Sequence, residues 1–509
     1  MRVHSLCLSI LVFSMALPAM GLEPGPPVAV SPSGVDARIT SLPAKCVHVD
    51  RDDDLHAVWI QSTDGGSEVF YYKYNNESRR WSQGTALTQG SGAISASIDG
   101  TYDGELHCVW EDSGAVYHRV WNTTSEVWEP ALLVSEMASD PSVLCDKGRN
   151  THVIWLQAIN SSQSSPRYLC HRYVESDGDW SETYTVTPTN AYADQPAASL
   201  DEANGLHVAY KMEFDTSKPP DIYYSYRRAG REWEPYQMIF DVTDGEVGRP
   251  AIAAGENSYS YVVWDQEVGS GSQIFLRQWT SSWEDPMQLT NSTGSAADPA
   301  VEIDSNSNLH LVWEDSRADP TGQDCELYYK RRWPLGIWTD AQRITINPNP
   351  AEGRSPPSLE VSPRDEDIHV MWSAVQEQSR VFHFIWPSQE SRYVIRTASR
   401  ARTDVSGVDA RPFVSPEGEE KLREAKAAYE AGIDALRRFE VEEAEGNFER
   451  CRDLIDEGYL LDEEYKEDLG KRMGSTMALV GIIGGAVVIV VWRLLRARDI
   501  EAYGSQESG

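Results

Sequence analysis

Residues 309–333 read LHLVWEDSRADPTGQDCELYYKRRW: a short apolar run ending in Trp, an acidic loop, then an aromatic pair. Runs of about five Leu, β-branched and aromatic residues bounded by Asp, Pro and Gly are strand signals. The unit recurs. LHAVW ends at Trp59, LHCVW at Trp110, THVIW at Trp155, LHVAY at Tyr210, YSYVVW at Trp264, LHLVW at Trp313 and IHVMW at Trp372, spaced 51, 45, 55, 54, 49 and 59 residues apart. An aromatic run follows each copy, and a second Trp follows six of them, at Trp81, Trp128, Trp180, Trp233, Trp283 and Trp338. Most copies are preceded by a Pro-led strand and a polar turn, as in PAASLDEANG and PAVEIDSNSN. Each unit therefore holds four strands: A with the Pro, B with the His and Trp, C with the aromatic run, and D after the second Trp.

A four-stranded unit of about 50 residues cannot bury both of its faces, whereas copies set radially bury each sheet between two neighbours. The expected fold is mainly β, a seven-bladed β-propeller over 27–395. Blade seven has its strand C at Phe382–Trp386 but lacks a second Trp. The segment at Val28–Ser31 resembles a strand D, so both ends of the domain are expected to close the ring. Alternation puts Leu309, Leu311 and Trp313 on one sheet face and His310 and Val312 on the other. The tryptophans thus read as inter-blade packing. The histidines His56, His107, His152, His207, His310 and His369 occupy one equivalent position in six blades, too far apart to share a metal ion. The A-to-B turns, DRDDD at 50–54 and DSNSN at 304–308, carry the Asp and Asn of calcium loops. They lack the Gly and distal Glu of an EF-hand, and Asp and Asn favour tight turns unaided. No metal ligand or cofactor is assigned.

The recurring VWEDSRADPTGQDCELYYKRRW, with PAVEID before it and a Trp strand after it, resembles the BNR-type, sialidase-like propeller repeats over about 27–395. No copy carries that family's Asp-box, S-x-D-x-G-x-T-W. The resemblance implies a carboxylate-binding arginine group, with a Tyr, Glu and Asp for glycoside hydrolysis. Bidentate arginine suits a planar carboxylate. B-to-C and D-to-A loops share one rim, where Arg249, Arg317, Arg354 and Arg380 stand with Glu314, Asp315 and Asp319. These seven are the expected ligand-binding residues. No Tyr/Glu pair is assignable, so no catalytic residue is named.

The ends define the context. Residues 1–21 read as a secretory signal: an early Arg, a short apolar segment and small residues at Ala19 and Gly21. Sequons at Asn76, Asn122, Asn160 and Asn291 fit an exported chain. A linker is expected at 396–414 and a helical hairpin stalk at 415–470, capped by Ser415 and Pro416, its second helix stopping at Gly458. Gly432, Ala444, Phe448 and Cys451 match the small and aromatic positions of a single tetratricopeptide-like repeat. Residues 473–492 contain no charge and are long enough to cross a bilayer. Arg493, Arg496 and Arg498 place the tail, 493–509, in the cytoplasm. The spacing of Gly481 and Gly485 suits a homodimer contact.

A net charge of −34 excludes nucleic acid, whose phosphates need Lys and Arg. Cys145 and Cys170 fall on strands A and C of one blade, two strand spacings apart and beyond disulfide reach, so no bridge is expected between them. The function expected is that of a single-pass surface protein whose rim binds a protein or polysaccharide. The rival classes are a sialidase-like glycoside hydrolase and a scaffold subunit of a membrane complex.

Overall fold

A computed structural model describes residues 26–39, 45–162, 165–175, 178–214, 216, 218–243, 245–318, 325–345, 355–375, 379–386, 392–410 and 412–504. The expected signal segment lies outside them. The chain forms two compact units, 1–389 and 390–509. The first is a seven-bladed propeller made of seven separate antiparallel sheets, each in the order A-B-C-D. Blade six is representative, with A at Ala296–Ile303, B at Leu309–Asp315, C at Glu326–Arg332 and D at Gln342–Arg343. In blade seven, strand D is Val28–Ala29, which pairs with strand C at Ser379–Trp386 through Val28 to His383 and Ala29 to Phe382. The first described strand therefore closes the ring, as the sequence indicates. Among the described residues strand material ends at Trp386, where the propeller was expected to reach 395, and helix α1 covers Arg392–Ala410, where a linker was expected from 396.

The blade cores follow the alternation of strand B. Trp59, Trp155, Trp264 and Trp313 are fully buried. Trp313 packs against Tyr261, Val263, Ile274 and Leu276 of the preceding blade. The second tryptophans work between blades too. Trp128 meets Tyr71 at 5.3 Å, Trp180 meets His118 at 5.4 Å, Trp233 meets His171 at 5.4 Å and Trp283 meets Tyr224 at 4.9 Å, all edge to face. At closure Trp81 meets His383 at 5.2 Å in the same manner. Each indole thus presents its edge to an aromatic ring of the blade before it, a favoured electrostatic geometry.

The strand-B histidines are structural. In blades one, four and six, Nδ1 of His56, His207 and His310 bonds a strand-C tyrosine hydroxyl, Tyr71, Tyr224 or Tyr329, at 2.7–2.8 Å. Nε2 faces the turn carboxylate Asp50, Asp201 or Asp304 at 3.0–3.1 Å. Oδ1 of the same Asp accepts backbone N–H groups two and four residues onward, Asn306 and Asn308 in blade six. A left-handed residue completes each of these turns, at Asp53, Asn204 and Ser307. Both carboxylate oxygens are thereby used on the turn and the histidine. Among the described residues no group of three or more His, Cys, Asp or Glu is arranged to hold a metal. Blades two, three and seven instead pair two histidines, His107 with His118, His152 with His171 and His369 with His383, at 3.0–3.1 Å.

Asp304 shows what such a turn is worth. Burial opposes its ionisation, but His310, Asn308 and Arg331 hold its pKa down to about 2. Asp304→Asn keeps the shape and removes the charge facing Arg331, and is expected to reduce stability by about 1–3 kcal/mol. Urea unfolding at pH 7 measures this, and an unchanged midpoint would count against it.

The second unit comprises α1, α2 at Pro416–Arg437 and α3 at Val441–Gly504. Ser415 caps α2, its Oγ accepting from Gly418 N at 2.9 Å. Gly432 lets Phe448 approach; a Cβ there would lie 2.6 Å from the ring. The expected stop at Gly458 is not a stop. The helix runs through it because the missing side chain makes room for the Phe413 ring, which would lie 2.7 Å from a Cβ. The hairpin is also not alone, since α1 packs on both partners, with Arg452 bonding Asp404 at 3.0 Å and Lys426 bonding Asp409 at 2.7 Å. Residues 473–492 lie on α3, but part of that run lies outside the residues whose side chains are described. Among the described residues no helix is long and apolar enough to cross a membrane.

Asn160 and Asn291 are exposed, Asn122 donates to Glu129 at 2.7 Å, and Asn76 is buried with its amide donating to Asp365 at 3.0 Å. Cys145 and Cys170 lie on strands A and C of blade three and are not bridged.

Candidate functional site

Four strands A are interrupted just before a proline. The ladder slips between Ser139 and Ser142, Asp194 and Ala197, Val247 and Pro250, and Ala297 and Ala300. Proline has no N–H to give the ladder, so the residues beside it bulge out. Asp140, Gln195 and Asp298, each preceding a proline, take left-handed φ values of 53, 50 and 52°. That conformation is sparsely populated before proline, and Asp tolerates it better than most residues. Arg249 is the equivalent residue of blade five. These bulges stand at the channel end reached by the D-to-A loops.

Arg249 is 7% exposed, and its Nε donates to Asp298 Oδ1 at 2.9 Å across the junction of blades five and six. Its Nη1 is buried with no hydrogen-bond partner among the described residues. Asp265, the residue after the strand-B Trp264, accepts from Asp298 N at 3.2 Å. Its carboxylate lies over Gly248, where a Cβ would be 2.2 Å from either oxygen, so only glycine fits. Burial, then the Asp298 charge, raises Asp265 to about 6. Burial lowers the pKa of Arg249, against the pull of Asp298, Asp265 and Glu314.

The same latch is built between blades two and three. Glu111, the residue after Trp110, accepts from Asp140 N at 3.1 Å, and burial raises its pKa to about 7. Arg167 joins Asp140 at 3.5 Å and Asp194 at 2.8 Å.

Arg249 lines a small cavity of about 40 Å³ in the channel, walled by Ile39, Ile252, Val301, Leu359, Pro299 and Pro357 among others. Lys45, which also lines it, reaches Glu302 at 2.5 Å and Glu360 at 3.0 Å. Burial opposes the charge on Lys45, yet these two carboxylates raise its pKa. In the neighbouring blades His48 bonds Asp99 at 2.7 Å.

The five expected ligand residues that are described, Arg249, Glu314, Asp315, Arg317 and Arg380, do not all face one site. Arg317 binds back to Asp315, Nη2 to Oδ2 at 2.5 Å, and lies over the Tyr328 ring at 4.6 Å. Asp315 is fully buried and also accepts from Trp313 Nε1 at 3.0 Å and Ser292 Oγ at 2.6 Å. This group clasps the face toward blade five. Arg380 donates to Ser31 O at 3.0 Å and secures the closing segment. Among the described ones Arg249 alone lines the cavity, with Glu314 close enough to act on its charge. Asp319 and Arg354 lie outside the described residues. Sequence reasoning missed Asp265, Glu111, Asp140, Asp298 and Arg167. The signal was present as the acidic residue after Trp in VWED, VWDQ and VWED, and as the residue before Pro in DP, QP, RP and DP.

No family model matches this chain, and no curated protein matches it. Among solved structures it is similar to the polysaccharide lyase Uly1, at 9% identity over 68% of this chain and 90% of that one, TM-score 0.45. It is also similar to an alpha-L-arabinanase of Penicillium chrysogenum complexed with arabinobiose, at 13% identity over 58% and 93%, TM-score 0.39. A Hadza microbial sialidase matches at 11% identity over 64% and 75%, TM-score 0.39. Likeness at this level is one of fold alone.

Proposed function

We propose that the chain is a single-pass surface protein whose propeller binds a polysaccharide or protein at the channel mouth. The observation that carries this reading is Arg249, a charged side chain lining the cavity and held at Nε by Asp298, whose buried Nη1 has no hydrogen-bond partner among the described residues. Leaving such a donor unsatisfied is unfavourable by a few kcal/mol, which a ligand acceptor would recover. The uncharged run 473–492 supports an anchor, with 493–509 inside and Gly481 and Gly485 as a dimer contact. The helices of the second unit would form the stalk.

The test is binding of full-length protein in detergent to a panel of immobilised polysaccharides. Wild type is expected to bind at least one, and Arg249→Gln to bind it at least tenfold more weakly. Equal binding by both proteins would remove the mouth from the reading.

One observation favours a second reading, a glycoside-cleaving enzyme. A carboxyl raised to about 7, Glu111, stands beside a second carboxylate, Asp140, as general acid catalysis requires. Turnover of chromogenic glycosides that vanishes in Glu111→Gln would favour it.

A further inference from the structure

We infer that the mouth takes a neutral, hydroxyl-rich saccharide rather than an acidic one, an inference that rests on the reading of the mouth as the ligand site. Arg249 is the donor, but it does not stand in a basic pocket. Asp298 bonds it, and Asp265 and Glu314 both act on its charge. Between blades two, three and four, Glu111, Asp140 and Asp194 surround Arg167 in the same way. Six carboxyl groups, of which Glu111 is raised to about 7 by burial, stand against two guanidinium groups and leave the mouth negative, and the whole chain carries −34.

A uronate or sialate carboxylate seeking Nη1 would have to approach Asp265 and Glu314 in a site where burial weakens screening. A hydroxyl escapes that repulsion. Its oxygen accepts from Arg249 while its proton is donated to a carboxylate, so one sugar hydroxyl serves both partners. Ile252, Val301 and Leu359, which wall the recess beside Arg249, give an apolar surface for the C–H face of a sugar ring to rest on. Lys45 supplies no alternative anion site, because Glu302 and Glu360 already hold its ammonium. A purely cationic ligand would leave Arg249 Nη1 without an acceptor.

The experiment titrates full-length protein in detergent with neutral xylo-, manno- and arabino-oligosaccharides, with oligogalacturonate and with chitosan oligomers, at low and physiological salt. At least one neutral oligomer is expected to bind with little salt dependence. Arg249→Gln and Asp265→Asn are each expected to weaken it roughly tenfold to a hundredfold, the range for hydrogen bonds to charged groups. Circular dichroism and melting of the Asp265→Asn protein should match wild type; it carries the test if loss of the Arg249–Asp298 pair unfolds the ring. Tight, salt-sensitive oligogalacturonate binding lost in Arg249→Gln would overturn the neutral class and leave the mouth reading standing. Chitosan binding without neutral binding, indifferent to Arg249→Gln, would also overturn it. Binding of no oligomer, or equal binding by wild type and both variants, would overturn the inference and the mouth reading together.

Discussion

Acidification from pH 7 to 4.5 is expected to weaken the ring at its histidine pairs, and converting one pair to the arrangement of blade four is expected to remove that share of the loss. Burial, and for His118 the neighbouring His107, lowers His107 to about 4 and His118 to about 3. Burial likewise lowers His369 to about 3, and His383 and His171 lie well below their ordinary range. A depressed histidine pKa means the unfolded chain takes up protons that the folded ring refuses. The stability is complete above the ordinary value of 6.5 and is lost as pH falls below it, at about 1.4 kcal/mol per pH unit for each group. At pH 4.5 His118 alone would account for roughly 3 kcal/mol.

Raised carboxyls act oppositely. Glu111 at about 7 and Asp265 at about 6, both lifted chiefly by burial, bind protons more readily in the folded state and add stability over the same interval. The total curve is therefore flattened, and the informative quantity is the difference between proteins. Blade two has Thr101 where blade four has Asp201, and His118 where blade four has Tyr224. The double variant Thr101→Asp, His118→Tyr is expected to lose about 2–3 kcal/mol less than wild type between pH 7 and 4.5. Urea unfolding at both values measures it; equal losses would rule the histidine pair out as the cause.

Trp313→Ala is expected to reduce stability by about 3–5 kcal/mol, the range for deleting a buried tryptophan. The indole has no exposure, stacks on Tyr328 at 5.9 Å and donates Nε1 to the fully buried Asp315 at 3.0 Å. Its removal opens a void between blades five and six and takes one hydrogen bond from a buried carboxylate. Trp313→Phe should recover part of the loss by refilling the void without restoring the bond. Unfolding by urea with tryptophan fluorescence and circular dichroism checks both; a change below about 1 kcal/mol for the alanine variant would show that the contact is not a core contact.

The ring was legible because its signal is repeated. Each blade repeats one alternation that ends in Trp or, in blade four, Tyr, with His at the equivalent position in six blades, and seven statements of one pattern leave little room for another architecture. The closing strand at Val28–Ala29 was legible for the same reason, since blade seven lacked a piece that the first segment resembled. The site was less legible. A residue before proline can turn outward or inward, and only the bulge geometry separates Arg249, which lines the cavity, from Arg317, which folds back onto Asp315 and Tyr328. Gly458 misled because glycine serves equally as a helix stop and as a seat for a neighbouring ring, and Phe413 lies 45 residues earlier in the chain. The segment from 396 reads as a linker because its helix buries small residues, Ala398 and Ala401, which give a weak apolar period.

Val28–Ala29 belongs to the earliest part of the domain to be made, yet its only ladder partner is the last strand, some 350 residues later. During synthesis that segment must wait unpaired until Ser379–Trp386 emerges, so six blades can assemble while the circle stays open. Any event that halts the chain before Trp386 leaves a horseshoe with two raw edges. Such a fragment would be an obvious substrate for quality-control proteases, which makes completion of the polypeptide itself the final folding checkpoint.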